Sequence, residues 1–534
     1  MPRTIDPTSL AGKDFAIDQH VQVLVVGAGP AGLSAANEAA RLGLQVMLVD
    51  EHPVASALIG LDIPYLFGER LDPAVQNKPR MLERVVAARP ELETSFELGV
   101  DVRLGVYVWG AFVEGPTSRA LPHRLIGLAD EERSWLVSFD RIIVAAGARD
   151  LALAFPGWDR PGVVGAQGAA AAMRLYQAFS ARRVVVLGAG ALGLQTALQA
   201  QAAGLQVAGI VDLASPQQGE ALDAVRAHDI PIHAGHAVRG TLGGIELQGV
   251  RIAPLAAQDA AFDIACDTLI FALDLVPNVE LFDLLGCAVS WRPELGGFVP
   301  DLDAEGRLSV PGIYAAGDCT GITSSVIADA TLGEIAGRCA ARAAARDAGI
   351  DVEALPPAIH PASLPDRDAA RRHWLQSHAP QSGDDVMICR CEEVGLRDLL
   401  GVRPPRYLSY KPTSFEHRDL RTLAADGPIN QDQIKRLTRA GMGACQGRRC
   451  REQVQILLAM QGNQPTGSVP LPSYRAPLRP LPLNVLSAHD ETTEMRDNWV
   501  VWFGISSQWL PQWEPVPDVI DPRDDRRVLR DFEA

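Results

Sequence analysis

Four cysteines near the C-terminus of this 534-residue chain carry the most specific chemical signal in the sequence. Cys389 and Cys391 form Cys-x-Cys within VMICRCEEV, and Cys445 and Cys450 form Cys-x4-Cys within RAGMGACQGRRCRE, with 53 residues between the pairs. Zinc prefers Cys-x2-4-Cys knuckles, and Cys-x-Cys is a poor one. A [2Fe–2S] core needs four thiolates spread over two irons, which this layout supplies. Such a core has a net charge of about −2 before it accepts an electron, and Arg390, Lys435, Arg436, Arg439, Arg448 and Arg449 flank the cysteines to offset it. The metal expectation is therefore one [2Fe–2S] centre on Cys389, Cys391, Cys445 and Cys450, with zinc or free buried thiols as the alternatives. Cys266, Cys287, Cys319 and Cys339 stand singly in apolar or Ala-rich segments and read as core fillers.

A second kind of chemistry is written twice in the N-terminal half. VQVLVVGAGPAGLSAANEAARLGLQVMLVDE reads as strand, Gly-x-Gly-x-x-Gly turn, helix and second strand, with Gly27, Gly29 and Gly32 in the turn, Pro30 opening the helix, and Asp50 and Glu51 at the end of the second strand. Gly27 permits the tight turn, Gly29 lets the backbone approach a pyrophosphate, and Gly32 lets helix and strand pack closely. The helix N-terminus offers free N–H groups to phosphates. Asp50, 18 residues after Gly32, is placed to accept from a ribose diol. RRVVVLGAGALGLQTALQAQAAGLQVAGIVD repeats the pattern with Gly188, Gly190, Gly193 and Asp212. No basic residue lies between Val211 and Glu220 to pair with a 2′-phosphate, so NAD or another adenine nucleotide lacking that phosphate is favoured over NADP. A degenerate fold kept for structure or subunit contacts is the competing reading here.

Composition limits what these motifs can belong to. The chain has 49 Lys+Arg against 65 Asp+Glu, a net charge of −16, which disfavours a nucleic-acid partner. At 47% hydrophobic and 21% charged it is an ordinary globular protein, and its length implies about three or four domains. The uncharged run from Val184 to Val211 is long enough to span a bilayer, but its four glutamines and glycine turn fit a buried strand–turn–helix better. The N-terminus lacks a signal-peptide core, and no cysteine precedes Cys266. No membrane span is expected, peripheral association with a membrane is compatible with the sequence, and a reducing, cytoplasmic location is favoured.

Two nucleotide units about 160 residues apart resemble the two-dinucleotide-domain flavoproteins. RIIVAAGARD then resembles that family's strand and small-residue turn leaving the FAD domain, with Ala146 and Gly147 at the turn. VPGIYAAGDCTG resembles the strand that returns to it, with Gly317 and with Asp318 on the ribityl chain of FAD. The alternative for Asp318 is a helix N-cap before Ser324. Thiol-active members need a cysteine pair beside the flavin, and no Cys-x-x-Cys occurs here.

With FPGWDRPGVV, LVPNVEL, ICRCEE and TRAGMGACQGRRC in the same order, the chain over about 21–460 resembles the larger (alpha or A) subunit of opine oxidases, D-hydroxyproline dehydrogenases and cyanide-forming glycine dehydrogenase. It is also similar to part of the alpha subunit of heterotetrameric sarcosine oxidases. The cysteine box resembles bacterioferritin-associated-ferredoxin-like domains. The resemblance implies an α/β fold of two Rossmann-like domains, a small helical [2Fe–2S] domain and a Trp/Pro-rich tail. Its expected bounds are an N-terminal arm at 1–20, an FAD domain at 21–150 and 275–345, a second nucleotide domain at 151–274, a linker at 346–384, the [2Fe–2S] domain at 385–462 and an extension at 463–534. It implies partners as well: an FAD-containing, amine-oxidising beta subunit, in some complexes a small ferredoxin-like subunit, and an electron acceptor. The expected role is an electron-relay subunit serving the oxidation of CH–NH or CH–NH2 donors. A self-sufficient NADH-dependent reductase and a non-catalytic scaffold remain the alternatives. The chain departs from the family where HPVASALIGL follows Glu51 in place of Gly-Gly-Gln, where the second turn keeps all three glycines, and where Gly395–Asn430 is longer than usual. Trp499, Trp502, Trp509 and Trp513 near the end fit packing on the chain itself or a partner anchor. No catalytic acid–base pair stands out.

Overall fold

The alternation of apolar strands and Ala-rich helices produces two parallel-centred sheets joined by one thin ribbon. The structure is a computed structural model that describes residues 16–54, 70–113, 123–356, 367–378, 386–403 and 418–487. The four tryptophans of the tail and part of the Gly395–Asn430 segment lie outside the described residues.

In the first sheet β1 (Gln19–Val26) pairs in parallel with β2 (Val46–Asp50) on one side and with the strand Ser134–Val144 on the other. The long strand Ser134–Val144 serves two neighbours. Its first half pairs antiparallel with Leu125–Ala129, and its last three residues pair in parallel with the returning strand Ile313–Ala315. Helix α1 (Pro30–Arg41) lies against the helix Thr331–Asp347. Gly337 makes that close crossing feasible, because a Cβ there would stand 2.1 Å from the Ala31 carbonyl oxygen.

The second sheet is wholly parallel, in the order Ile232–Ala234, Gln206–Asp212, Arg183–Leu187, Thr268–Phe271, Val163–Gly165. A three-stranded antiparallel sheet, His236–Leu242, Gly249–Pro254 and Phe262–Ala265, is inserted in the chain between Ile232–Ala234 and Thr268–Phe271. The ribbon joining the two halves is the antiparallel pair Ala148–Asp150 and Leu275–Pro277, in which Arg149 faces Val276 in register.

Two expectations are corrected. Residues 367–378, inside the stretch read as linker, form a helix. Arg371, Trp374, Leu375 and His378 are its buried stripe at i, i+3, i+4 and i+7 spacing. Arg371 pairs with Asp274, and Val238 N–H donates to His378 Nε2. The cysteine-bearing segment, in turn, has no separate core. Its Val394, Leu399, Ile434, Cys450 and Leu457 share one apolar cluster with Phe155, Trp158, Val185 and Leu269 of the second sheet. Trp158 Nε1 donates to Met387 O at 2.7 Å, which is what the FPGWD segment contributes. Beyond Met460 the chain also packs rather than trailing, since Leu471, Tyr474 and Leu478 join the core of the first sheet.

Residues 482–534 form a second unit, of which 482–487 are described, with a short helix at Leu483–Ser487. Among the described residues no helix is long and apolar enough to cross a membrane.

Candidate functional site

The turn between β1 and α1 sits at the carboxyl end of the sheet, where α/β folds bind ligands. Gly27 has φ +103°, and a Cβ on Gly32 would fall 1.8 Å from the Gly27 carbonyl oxygen, so neither position tolerates a side chain. Pro30 opens the helix, where its missing N–H leaves no bond unmade. Around this turn is a cavity of about 860 Å³ walled by Gly27, Gly29, Pro30, Asp50, Glu51, Ala146, Gly147 and Asp318. Eight residues predicted from scattered parts of the sequence therefore meet at one place. Gly32 and Gly317 serve it from the packing side; a Cβ on Gly317 would stand 2.8 Å from that of Ala31.

Two of the cavity's carboxylates, Asp50 and Asp318, differ in state. Asp50 Oδ2 accepts from Ala28 N–H at 2.6 Å and Oδ1 from His52 N–H at 2.8 Å, with Arg89 Nη1 3.2 Å away. Burial opposes its ionisation, but Arg89 and the two backbone donors outweigh burial and hold its pKa below the ordinary carboxylate value. Asp318 has none of this support. No described residue bonds to its carboxyl, and burial alone pushes its pKa up to about 6. It opens the short turn Asp318–Thr320 and lines the cavity as a half-buried acceptor with no donor among the described residues.

Sequence reasoning missed several wall residues. Arg89, Gln167, Asn278 and Glu280 line the cavity, as do Leu478 and Arg479 from the segment read as extension. Leu478 N–H bonds Trp109 O at 2.6 Å, and Arg479 reaches Glu51 at 3.3 Å, which fixes that segment on the wall. His52, at the position where the expected Gly-Gly-Gln begins, lines the cavity too, with Nδ1 2.6 Å from the Tyr176 hydroxyl. Residues 55–61 of that stretch lie outside the described residues.

The second turn repeats the geometry with one difference. Asp212 Oδ2 accepts from Ala189 N–H at 2.6 Å, and a Cβ on Gly193 would stand 1.8 Å from Gly188 O. Gly190 precedes the helix Ala191–Ala202, but here the first helical N–H is already engaged: Ala191 donates to Gln217 Oε1 at 3.0 Å. The Gln217 backbone N–H bonds Ala189 O at 2.9 Å, so the loop folds back over the turn. The side-chain carbonyl thus takes up a helix N-terminal N–H of the kind that binds a phosphate. Gln217→Ala is expected to tighten NAD binding by roughly two- to tenfold, the worth of one hydrogen bond. Calorimetric titration checks this, and NAD should remain tighter than NADP because Asp212 repels a 2′-phosphate.

The four C-terminal cysteines meet despite their separation. Cys389 contacts Cys450, and Cys391 contacts Cys445, with all four close enough to influence one another electrostatically. Cys389, Cys445 and Cys450 are buried, and Cys391 is the partly exposed member. The Cys445 thiol bonding to Cys391, with Arg449 and Arg390 beside it, holds the Cys391 pKa down at about 6 despite burial. Gly441 N–H points at Cys389 Sγ at 3.4 Å. Among the described residues no three His, Cys, Asp or Glu side chains are grouped around a point that could hold one metal ion. The donor set is two contacting thiol pairs, all sulfur. The other four cysteines are buried and unbridged, and burial pushes the Cys319 thiol up to about 12.

Comparison with known proteins agrees with this geometry. The family model described as pyridine nucleotide-disulphide oxidoreductase matches residues 21–347, and that of the sarcosine oxidase A3 domain matches residues 414–490. The chain is 27% identical to the A subunit of opine oxidase from Agrobacterium tumefaciens (strain Ach5), over 88% of this chain and 92% of that one. It is 27% identical to hydrogen cyanide synthase subunit HcnB of Pseudomonas protegens, over 89% and 99%. Among solved structures, L-proline dehydrogenase from P. horikoshii shares the fold, with a TM-score of 0.58 at 19% identity, over 89% of this chain and 81% of that one.

Proposed function

The chain belongs to the pyridine nucleotide-disulphide oxidoreductase family, and from that premise we propose that it is the FAD- and [2Fe–2S]-containing electron-transfer subunit of a hetero-oligomeric dehydrogenase or oxidase for secondary amines or amino acids of the opine type. The observation that carries the reading is the meeting of four cysteines, in two contacting pairs, within a chain that also holds a dinucleotide cavity.

The residues fit the groups. Asp318 offers the cavity a half-buried acceptor, without a donor among the described residues, of the kind a ribityl hydroxyl would satisfy. The glycine turn and the N-terminus of α1 would take the pyrophosphate, and Asp50 the ribose diol. Two thiol pairs suit two irons better than one zinc, which wants four ligands about a single point. Bound flavin would supply two-electron acceptance, and the iron–sulfur centre one-electron transfer. Arg448 and Arg449, both buried beside the cysteines, offset the charge of such a centre.

The opine oxidase relative is by name one subunit of a larger enzyme, which supports a partner subunit for this chain, and an amine-oxidising one suits the reading. The test is anaerobic mixing of purified protein with an opine or a secondary amino acid. A reduced paramagnetic signal is expected only when the co-purified partner is present, and the isolated chain should not oxidise NADH at steady state. Rapid NADH oxidation by the isolated chain would replace this reading with a self-sufficient reductase.

A further inference from the structure

A buried group of four charges lies between the cavity and the cysteine loop. Arg149, two residues after the cavity-lining Gly147, is 2% exposed. Its Nη1 donates to Asn278 Oδ1 at 2.9 Å and to Glu280 Oε1 at 3.2 Å, and both of those residues line the cavity. Its Nε donates to Arg448 O at 2.9 Å, within the loop between Cys445 and Cys450, and its Nη2 bonds the Glu452 carboxylate. Arg451, the residue after Cys450, stands 2.7 Å from the same Glu280 oxygen and donates through Nε to Glu452 at 2.7 Å. Asn278 closes the chain on the cavity side, its Nδ2 donating to Ala146 O at 2.8 Å and its backbone N–H to Gly147 O at 3.1 Å. One guanidinium thus grips the cavity wall with one edge and the cysteine loop with the other.

Stability does not account for this arrangement, because buried ion pairs are often matched or bettered by apolar side chains of the same volume. Proton transfer does not account for it either. Burial opposes ionisation of Glu280, yet Arg451 and Arg149 bring its pKa down to about 2, so it stays charged at neutral pH. What remains is connection. The cysteine loop is a run of turns with Arg439 and Gln446 at positive φ, closed by short-range bonds such as Gln446 N–H to Gly443 O and Arg448 N–H to Cys445 O, and the Arg149 bond to Arg448 O ties those turns to the cavity wall.

We propose that Arg149 is a positioning residue that couples occupancy of the cavity to the order of the cysteine loop, so that FAD binding holds the loop closed around its thiols. The proposal rests on the flavin reading above. A ligand held against Ala146, Gly147 and Asn278 restrains the partners of Arg149, and through the Arg448 carbonyl it restrains the loop. That is a contiguous physical route between two sites, and by linkage its effect is reciprocal.

The test uses the full chain freed of iron, with the labelling rate of each cysteine measured by a thiol-reactive reagent and mass analysis, with and without FAD. In the parent, FAD is expected to slow labelling of Cys391, Cys445 and Cys450 by roughly tenfold, the scale of one charge-assisted bond. In Arg149→Lys, which keeps the charge and loses the fork, the FAD effect should shrink to less than about twofold while FAD still binds. A merely structural arginine would raise labelling equally with and without FAD and leave their ratio unchanged. An equal ratio in parent and variant overturns the proposal, as does a parent that binds FAD without protecting its thiols. A parent that binds no FAD overturns the flavin reading and the coupling with it. Should Arg149→Lys fail to fold, Glu452→Gln, which weakens the loop-side partner and keeps its shape, is expected to show the same loss.

Discussion

Cys445→Ser is expected to remove essentially all iron and acid-labile sulfide from the purified chain while leaving its flavin absorption in place. Serine offers a hard oxygen donor where a soft thiolate is needed. The loss should exceed the about 10–100-fold cost typical of disturbing a group that only supports a metal ligand. Flavin should survive because the acceptors proposed for it come from other parts of the chain: Asp50 from β2 and Asp318 from the turn after Ile313–Ala315. Serine is also nearly isosteric with cysteine, so the apolar cluster around Cys450 and Leu457 stays packed. The measurements are iron and sulfide content, the reduced-state paramagnetic signal, and amine-to-acceptor electron flow in the assembled complex. All three should collapse together. Zinc without iron in parent protein purified anaerobically would remove the redox role, because zinc has no accessible redox change.

That prediction could be framed from the sequence because the cysteine pairs are local words, and the glycine turns are local as well. Gly32 is dictated by a backbone clash within six residues of chain, since a Cβ there would meet Gly27 O at 1.8 Å, and Gly27 by its own positive φ, although a Cβ on Gly27 would also meet Ala145 O from a distant strand. The order of the motifs then sufficed for the resemblance to the larger subunit of opine oxidases. What the sequence hid is non-local. Arg149 meets Arg448 and Glu452 across about 300 residues, and no spacing rule links residues so far apart. The helix Arg367–His378 was hidden differently. Its buried face, Arg371, Trp374, Leu375 and His378 at i, i+3, i+4, i+7 spacing, holds only two apolar side chains, so apolar periodicity does not reveal it; Arg371 is buried because Asp274 pairs with it. Leu478 and Arg479 became cavity residues for a third reason. A Pro-rich segment without periodicity can still pack if single side chains find slots, and Leu478 does so beside Trp109.

Asp318 offers the other large effect, and its sign depends on whether the cavity is filled. Asp318→Ala removes the buried acceptor and is expected to weaken FAD binding by roughly 1–3 kcal/mol, or about five- to 150-fold. Undiminished flavin content and affinity in that variant would show that Asp318 holds no flavin. Without flavin the same carboxyl is a liability. Its pKa is 3.8 when unperturbed and about 6 when buried in the fold, so the folded chain holds the proton more tightly than the unfolded one. The stabilisation is complete below about pH 4 and is lost as pH rises through about 6, a change of the order of 3 kcal/mol. Asp318→Asn does not titrate. The flavin-free variant should therefore melt above the flavin-free parent at about pH 8, with the gap closing towards about pH 4. Saturating FAD should reverse the order, because the ionised carboxylate accepts a stronger bond than an amide does. FAD affinity of the parent should fall as pH drops below about 6, where the carboxylate takes up its proton, while that of Asp318→Asn stays flat. Thermal melts of both proteins across that range, with and without FAD, decide the matter. Parallel curves in all four series would mean that Asp318 neither titrates in the cavity nor touches the flavin. The crossing of the curves is the expected mark of a residue whose desolvated charge serves the ligand rather than the fold.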